Sequence, residues 1–258
     1  MNPQEVQQTA DKLEKVAERG DVDTVAKELH DMAPDDRKAI AAKIKEDQKE
    51  KSSDGLPKLE FYDTGDVKSA KKHTVLDDTN TKYDIATGNK TEMKRDTWDG
   101  RSETETFDPN TGKETSETII NTDGSYVQRT FNPNTGYFRT EQSQSADGKV
   151  VRVEGNELSG DLTMIEFDKQ GRVAETSGED FTTRKFHYDE NGKLDQIDGK
   201  LGHWDRSTDA NGKTAWTNKN TGAVWHGEFN VDKSGDLHFK TANGTSHTFN
   251  PGDVAAKG

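Results

Sequence analysis

The chain of 258 residues has no cysteine and few hydrophobic residues. Without cysteine it can form no disulfide framework, no thiolate metal site and no cysteine nucleophile. Hydrophobic residues make up 28% of the sequence, against roughly 45–50% apolar residues in ordinary globular domains. One thick hydrophobic core is therefore not expected. We expect a thin architecture in which backbone pairing contributes much of the order.

The chain also lacks an excess of positive charge and any long hydrophobic run. Lys and Arg number 36 against 49 Asp and Glu, which gives a formal net charge of −13. This charge disfavours nucleic acid as a partner, and no stretch approaches the ~20 apolar residues of a membrane span. Residues Met1–Gln8 lack the features of a signal peptide. We expect a cytoplasmic chain or one exported by a leaderless route, and the sequence leaves the compartment open.

The N-terminal fifth of the chain predicts three short helices. Pro3 suits the first position of a helix, Gly20 suits the position after its end, and Pro34 begins the third helical segment. We predict a three-helix unit over residues 1–51, acting as a cap or as a docking unit for a partner. A linker is predicted over residues 52–58 from its Ser and Gly content.

Glycine then recurs at intervals of 12 residues, which indicates a true repeat. The glycines are Gly88, Gly100, Gly112, Gly124, Gly136, Gly148 and Gly160. Turn-forming residues precede them, as in Asp108–Gly112 (DPNTG) and Thr122–Gly124 (TDG). Twelve residues accommodate a strand of roughly eight and a turn of about four. We predict a polar β-meander over residues 59–161.

The strands of this meander are polar on both faces, as in Arg101–Phe107 and Lys113–Ile120. A two-layer sandwich would bury their charges at high cost, so a single layer held by cross-strand pairs is favoured. More apolar hairpins are predicted over residues 162–252, followed by a tail at 253–258. The predicted fold class is mainly β with a small α-helical N-terminal unit. It is a repetitive antiparallel hairpin meander, an extended single-layer sheet that partly curls or closes at its C-terminal end.

Two segments share the pattern aromatic-Asp-x-x-Gly-basic-aliphatic. They are Phe167–Val173 (FDKQGRV) and Tyr188–Leu194 (YDENGKL). The pattern resembles the tyrosine–aspartate (YD) hairpin repeats of bacterial Rhs-type and wall-associated proteins. By composition, the polar meander is similar to the single-layer sheet of certain bacterial surface lipoproteins. The resemblance implies a bacterial repeat scaffold, often envelope-related or secreted, and toxin encapsulation is not carried over because arrays that form shells are far longer.

The sequence contains no recognisable catalytic or metal-binding motif. It has neither the HExxH pattern of zinc proteases nor the GxSxG pattern of serine hydrolases. We therefore expect no enzyme, no cofactor and no metal. His203-Trp204-Asp205 is the cluster on which a hydrolase, the third hypothesis, would rest.

Large aromatic residues in a chain with so little core allow two interpretations. Trp204, Trp216 and Trp225 form a modest core in the first. In the second they join Tyr188 as a platform for sugar rings, and these four are the candidate ligand-binding residues. The favoured function is a non-catalytic scaffold that presents an extended β surface to a protein partner. The alternative is a glycan-binding module for cell-wall or other polysaccharide.

Overall fold

A computed structural model describes residues 1–50, 56–156, 158–178 and 183–251. The chain divides into two compact units, Met1–Phe138 and Arg139–Gly258. The core of the predicted linker and the predicted tail at 253–258 lie outside the described residues, and the predicted domain boundaries stay predictions. The fold class is confirmed, because antiparallel hairpins follow three N-terminal helices.

The first unit begins with α1 (Pro3–Glu18), α2 (Val22–His30) and α3 (Pro34–Glu50). Asn2 caps α1: its Oδ1 accepts from the Glu5 backbone N–H at 2.9 Å, and the Glu5 carboxylate accepts from the Asn2 N–H at 2.7 Å. This reciprocal pair satisfies two N–H groups that the helix itself leaves unbonded. Asp21 caps α2 by accepting from the Thr24 N–H. None of these helices is long and apolar enough to span a membrane.

Seven strands follow in the first unit, each paired antiparallel with the next. They are β1 (Lys58–Phe61), β2 (Val67–His73), β3 (Asp77–Tyr83), β4 (Lys90–Thr97), β5 (Ser102–Phe107), β6 (Glu114–Ile120) and β7 (Tyr126–Phe131). The helices cover β1–β3, so that Leu29 and Ile40 share one hydrophobic cluster with Leu59 and Val67. At β1–β3, therefore, the helices cover one face of the layer that the polar pattern predicts over residues 59–161.

Strands β4–β7 form the single layer that the polar pattern predicts. Their side chains are half-buried or exposed, and none is buried. Cross-strand contacts take the place of a core: the Thr106 hydroxyl bonds that of Ser116 at 2.7 Å, and Arg129 pairs with Glu117 at 2.6 Å. Such pairs stabilise a sheet modestly, by roughly 0.2–1 kcal/mol each.

Two kinds of turn alternate in this repeat, so its structural period is 24 residues. The longer turns begin at Asp84, Asp108, Asn132 and Asn156, whose Oδ1 atoms accept the backbone N–H groups two and three residues on. The shorter turns begin at Thr97, Asn121 and Ser145, whose carbonyls accept the N–H of the glycine three residues on. Both kinds place their glycine at positive φ, which explains the uniform spacing of 12.

The second unit holds eleven strands, again paired in chain order. They are β8 (Phe138–Gln144), β9 (Val150–Gly155), β10 (Leu162–Phe167), β11 (Val173–Ser177), β12 (Thr183–Tyr188), β13 (Leu194–Gly199), β14 (Trp204–Thr208), β15 (Thr214–Asn218), β16 (Val224–Val231), β17 (Leu237–Thr241) and β18 (Ser246–Phe249). Each of the strands β10–β18 contributes at least one buried residue to one hydrophobic cluster.

The predicted curl is present in this second unit. Arg184 on β12 donates to the carbonyl of Phe249 on β18 at 3.3 Å. In the β16–β17 turn, a Cβ on Gly235 would lie 2.6 Å from Thr176 on β11. These contacts join strands far apart in the pairing order, so the sheet folds over its apolar face. It does not close, because β18 pairs with β17 and no described pairing joins it to β10 or β11.

Candidate functional site

The structure places two of the four predicted ligand-binding residues in the core of the second unit. Trp216 has an exposed fraction of 0% and Trp204 of 5%. Trp204 also donates its indole N–H to the Leu201 carbonyl at 2.8 Å. With both rings enclosed, neither presents a face to a ligand in this conformation.

Tyr188 contacts the preceding hairpin through both its hydroxyl and its ring. Its hydroxyl donates to the Val173 carbonyl at 2.8 Å, and the Arg172 guanidinium lies 4.3 Å from the centre of its ring. Burial raises the pKa of Tyr188 to about 12. In the turn that follows, Asp189 Oδ1 accepts two backbone N–H groups at 2.9 Å. In Tyr188–Leu194 the YD-like pattern thus describes an aromatic that packs on the preceding hairpin and an aspartate that caps a turn.

Trp225 differs from the other two tryptophans because it is only partly buried. Its ring centre lies 4.7 Å from that of Trp204, and it is nearly parallel to the rings of Phe229 and Phe249. Trp225 also lines a pocket of about 370 Å³. The other lining residues are Val224, His226, Phe239, Thr241 and His247. Sequence reasoning missed the pocket because it joins β16, β17 and β18.

A chain of ion pairs crosses strands β12–β15 around the His203 that sequence analysis singled out. His203 Nδ1 contacts Asp198, and its Nε2 lies 2.9 Å from Asp205. Asp198 also meets His187 at 3.1 Å, and Asp205 meets Lys219 at 3.1 Å. Every charged group here has an opposite neighbour, and no serine or threonine hydroxyl belongs to the chain of ion pairs. The arrangement joins strands electrostatically.

This network gives a pH dependence whose sign follows from two pKa shifts. The hydrogen bond to Asp198 raises the pKa of His203. Burial opposes ionisation of Asp198, but hydrogen bonds from His203 and Gln196 outweigh it and lower its pKa. The contribution of protonated His203 to folding stability is complete below about pH 6.5 and is lost as pH rises through its raised pKa. The aspartate contribution is present above about pH 4 and is lost as pH falls through the lowered pKa.

We therefore expect His203→Asn to lower the midpoint of thermal unfolding most between about pH 4 and 6.5. Above that window the difference from the native chain should shrink as the native imidazole loses its proton. Thermal melts of both proteins at pH 3–9 measure this, with Asp198→Asn as the reciprocal variant. If the difference in thermal midpoint between His203→Asn and the native chain stayed constant from pH 5 to pH 9, the His203–Asp198 pair would not titrate as described.

Three carboxylates in the helices are close enough to share a metal ion: Asp11, Glu14 and Asp47. Asp11 already accepts from Gln7 at 2.8 Å, and Asp47 pairs with Lys43 at 2.8 Å. Helix neighbours thus already engage Asp11 and Asp47.

No protein-family model and no curated protein matches the sequence. A crystal structure of TcdB2-TccC3 is 13% identical with a TM-score of 0.22, and the match covers 71% of this chain and 10% of that one. A porin-like protein from Bacteroides uniformis is 10% identical with a TM-score of 0.22, covering 75% of this chain and 86% of that one.

A third solved structure is the TCP10 domain of Danio rerio CPAP in complex with a peptide of STIL. It is 12% identical with a TM-score of 0.19, and the match covers 74% of this chain and 96% of that one. This chain spans about a tenth of the length of the TcdB2-TccC3 chain that it matches.

Proposed function

We propose that this chain is a non-catalytic β-hairpin repeat scaffold that presents the faces of its strands to a protein partner. The observation that carries the proposal is the single layer β4–β7, in which every side chain is half-buried or exposed and none is fully enclosed. A sheet built this way gains little stability from a hydrophobic core, so we infer that its surface serves to contact a partner. The YD-like hairpins of the second unit fit the same class of repeat scaffold.

The charge on one face of this layer indicates which partner it suits. Met93, Glu105 and Glu117 lie directly opposite one another on β4, β5 and β6. Burial raises the pKa of Glu105, and the neighbouring Glu117 adds to the shift. Like charges directly opposite in a sheet are destabilising. Arg129 already pairs with Glu117 at 2.6 Å, so a basic protein surface would chiefly meet Glu105, and the chain's net charge of −13 favours its approach.

Site-specific photo-crosslinking in the producing cell tests this proposal. A photoreactive residue at Met93 samples the face with the opposed glutamates, and one at the adjacent Lys94 samples the other face as a matched control. We expect a discrete adduct from position 93 that weakens in a Glu105→Gln, Glu117→Gln background. Equal labelling from both positions, or no adduct from either, would contradict the proposal. Hydrolytic activity that disappears in His203→Ala would replace the scaffold with an enzyme.

A further inference from the structure

The pocket beside Trp225 has a lining that differs in chemistry from the rest of the protein. Of all residues in the chain, 33% are charged, yet the lining contains no Asp, Glu, Lys or Arg. It combines an indole, a phenyl ring and an aliphatic side chain with two imidazoles and a threonine. Since an ionic ligand would find no fixed countercharge in this lining, the ligand that fits is neutral.

The indole of Trp225 is held rigidly where a ligand would stack. Trp204 lies 4.7 Å and Phe239 5.1 Å from its ring centre. Phe229 and Phe249 lie at 6.0 and 6.4 Å and nearly parallel to it. A ring fixed by its neighbours loses little conformational entropy when a ligand binds. Trp225 therefore offers a preformed apolar surface.

The close approach of β17 leaves no room for a side chain at Gly227. Gly227 lies on the same strand as Trp225, and a Cβ there would be 2.2 Å from the Lys240 carbonyl and 2.9 Å from the Phe239 ring. Gly227 is two residues from Trp225, so both lie on the same face of β16. The position has no room for a larger residue. Glycine here thus preserves the tight packing of β16 on β17 that brings Trp225 and Phe239 together.

The polar groups around the pocket select for hydroxyls. His247 carries two ring nitrogens that can form hydrogen bonds. His226 is adjacent to Trp225 in β16, so it lies on the opposite face, where its Nδ1 is 3.6 Å from Asp209. At about 370 Å³ the pocket is at the small end of ligand sites. A pyranose ring has an apolar face of C–H groups and a rim of hydroxyls that both donate and accept.

From these features we propose that the pocket binds a neutral sugar ring, stacked on Trp225 and hydrogen-bonded by His247. The site is independent of the face of β4–β7 proposed for a protein partner. It also differs from the platform of the alternative interpretation, because Trp204 and Trp216 are enclosed in the core.

Calorimetric titration of the full chain with neutral oligosaccharides tests the proposal. Suitable probes are the hexasaccharides of β-1,4-glucose, β-1,3-glucose and N-acetylglucosamine, with polygalacturonate as an anionic control and N-acetyltyrosinamide as a neutral aromatic one. We expect saturable binding of at least one neutral glycan. Binding should weaken at least tenfold in Trp225→Ala and in His247→Ala, and stay unchanged in Trp98→Ala.

The control works because Trp98 has an exposed fraction of 76% and lies in the other unit. His247→Ala keeps the test valid if Trp225→Ala unfolds, because His247 lies outside the hydrophobic cluster. Failure of every neutral glycan to bind would overturn the proposal. So would undiminished glycan binding in folded Trp225→Ala, or binding of N-acetyltyrosinamide in place of the sugars.

Discussion

Asp66→Ala is expected to destabilise the first unit by about 3–5 kcal/mol, the usual cost of breaking a buried ion pair. Asp66 has an exposed fraction of 2% and lies in the turn between β1 and β2. Its carboxylate meets His30 at 2.9 Å, Arg37 at 2.8 Å and the Thr64 hydroxyl at 2.6 Å. One side chain thereby joins the end of α2, the first turn of α3 and the sheet.

The size of the effect comes from what the substitution leaves behind. Arg37 is itself mostly buried, and it also donates to the carbonyls of His30 and Thr64. Those bonds hold the guanidinium in place, so removal of Asp66 leaves a buried positive charge without its carboxylate. Asp66→Asn keeps the shape and removes only the charge, so it should cost less than alanine.

Urea unfolding followed by helical circular dichroism at 222 nm measures the loss. Asp63→Ala is the matched control, because Asp63 lies in the same turn but is exposed, and its replacement should cost less than about 0.5 kcal/mol. If the free energy of unfolding of Asp66→Ala were within 1 kcal/mol of that of the native chain, the three contacts of Asp66 would contribute little to stability.

The hairpin repeat could be predicted from the sequence because its signals are local. Each turn needs a glycine at positive φ and an Asp or Asn that caps it. These residues lie within five positions of each other, and both can be recognised in the sequence. The 24-residue period was equally visible in the identical spacing of Asp84, Asp108, Asn132 and Asn156. The glycine spacing alone does not reveal the 24-residue period, because both kinds of turn end in glycine.

The contacts between helices and sheet, and within the pocket, could not be predicted in the same way. Nothing in the local pattern of β2 (VKSAKKH) says that helices cover one of its faces. Gly65 permits the contact, since a Cβ there would lie 2.9 Å from the backbone of Arg37. The glycine spacing that predicts a turn carries no information about such a distant neighbour. The pocket likewise depends on how β16, β17 and β18 curl together, which is a property of the whole second unit.

Trp216→Ala is expected to destabilise the second unit by about 3–5 kcal/mol, the range for truncating a large buried aromatic. Trp216 is fully enclosed, with its ring centre 5.0 Å from that of Phe229 and at right angles to it. Trp98→Ala removes the same side chain from an exposed turn, so its effect should stay within about 0.5 kcal/mol. Urea unfolding followed by the fluorescence of the remaining tryptophans compares the two.

Trp216→Phe separates the volume of the ring from its polar edge. The indole N–H of Trp216 is buried with no hydrogen-bond partner among the described residues, and such a group costs free energy in the folded state. Phenylalanine removes that N–H while it keeps most of the apolar surface, so we expect a cost well below that of alanine. A phenylalanine variant as unstable as the alanine variant would show that the N–H has a partner. A near-neutral Trp216→Ala would instead mean that this ring is not part of the core, and the alternative interpretation of the sequence, a sugar platform, would then be the better account of the three tryptophans.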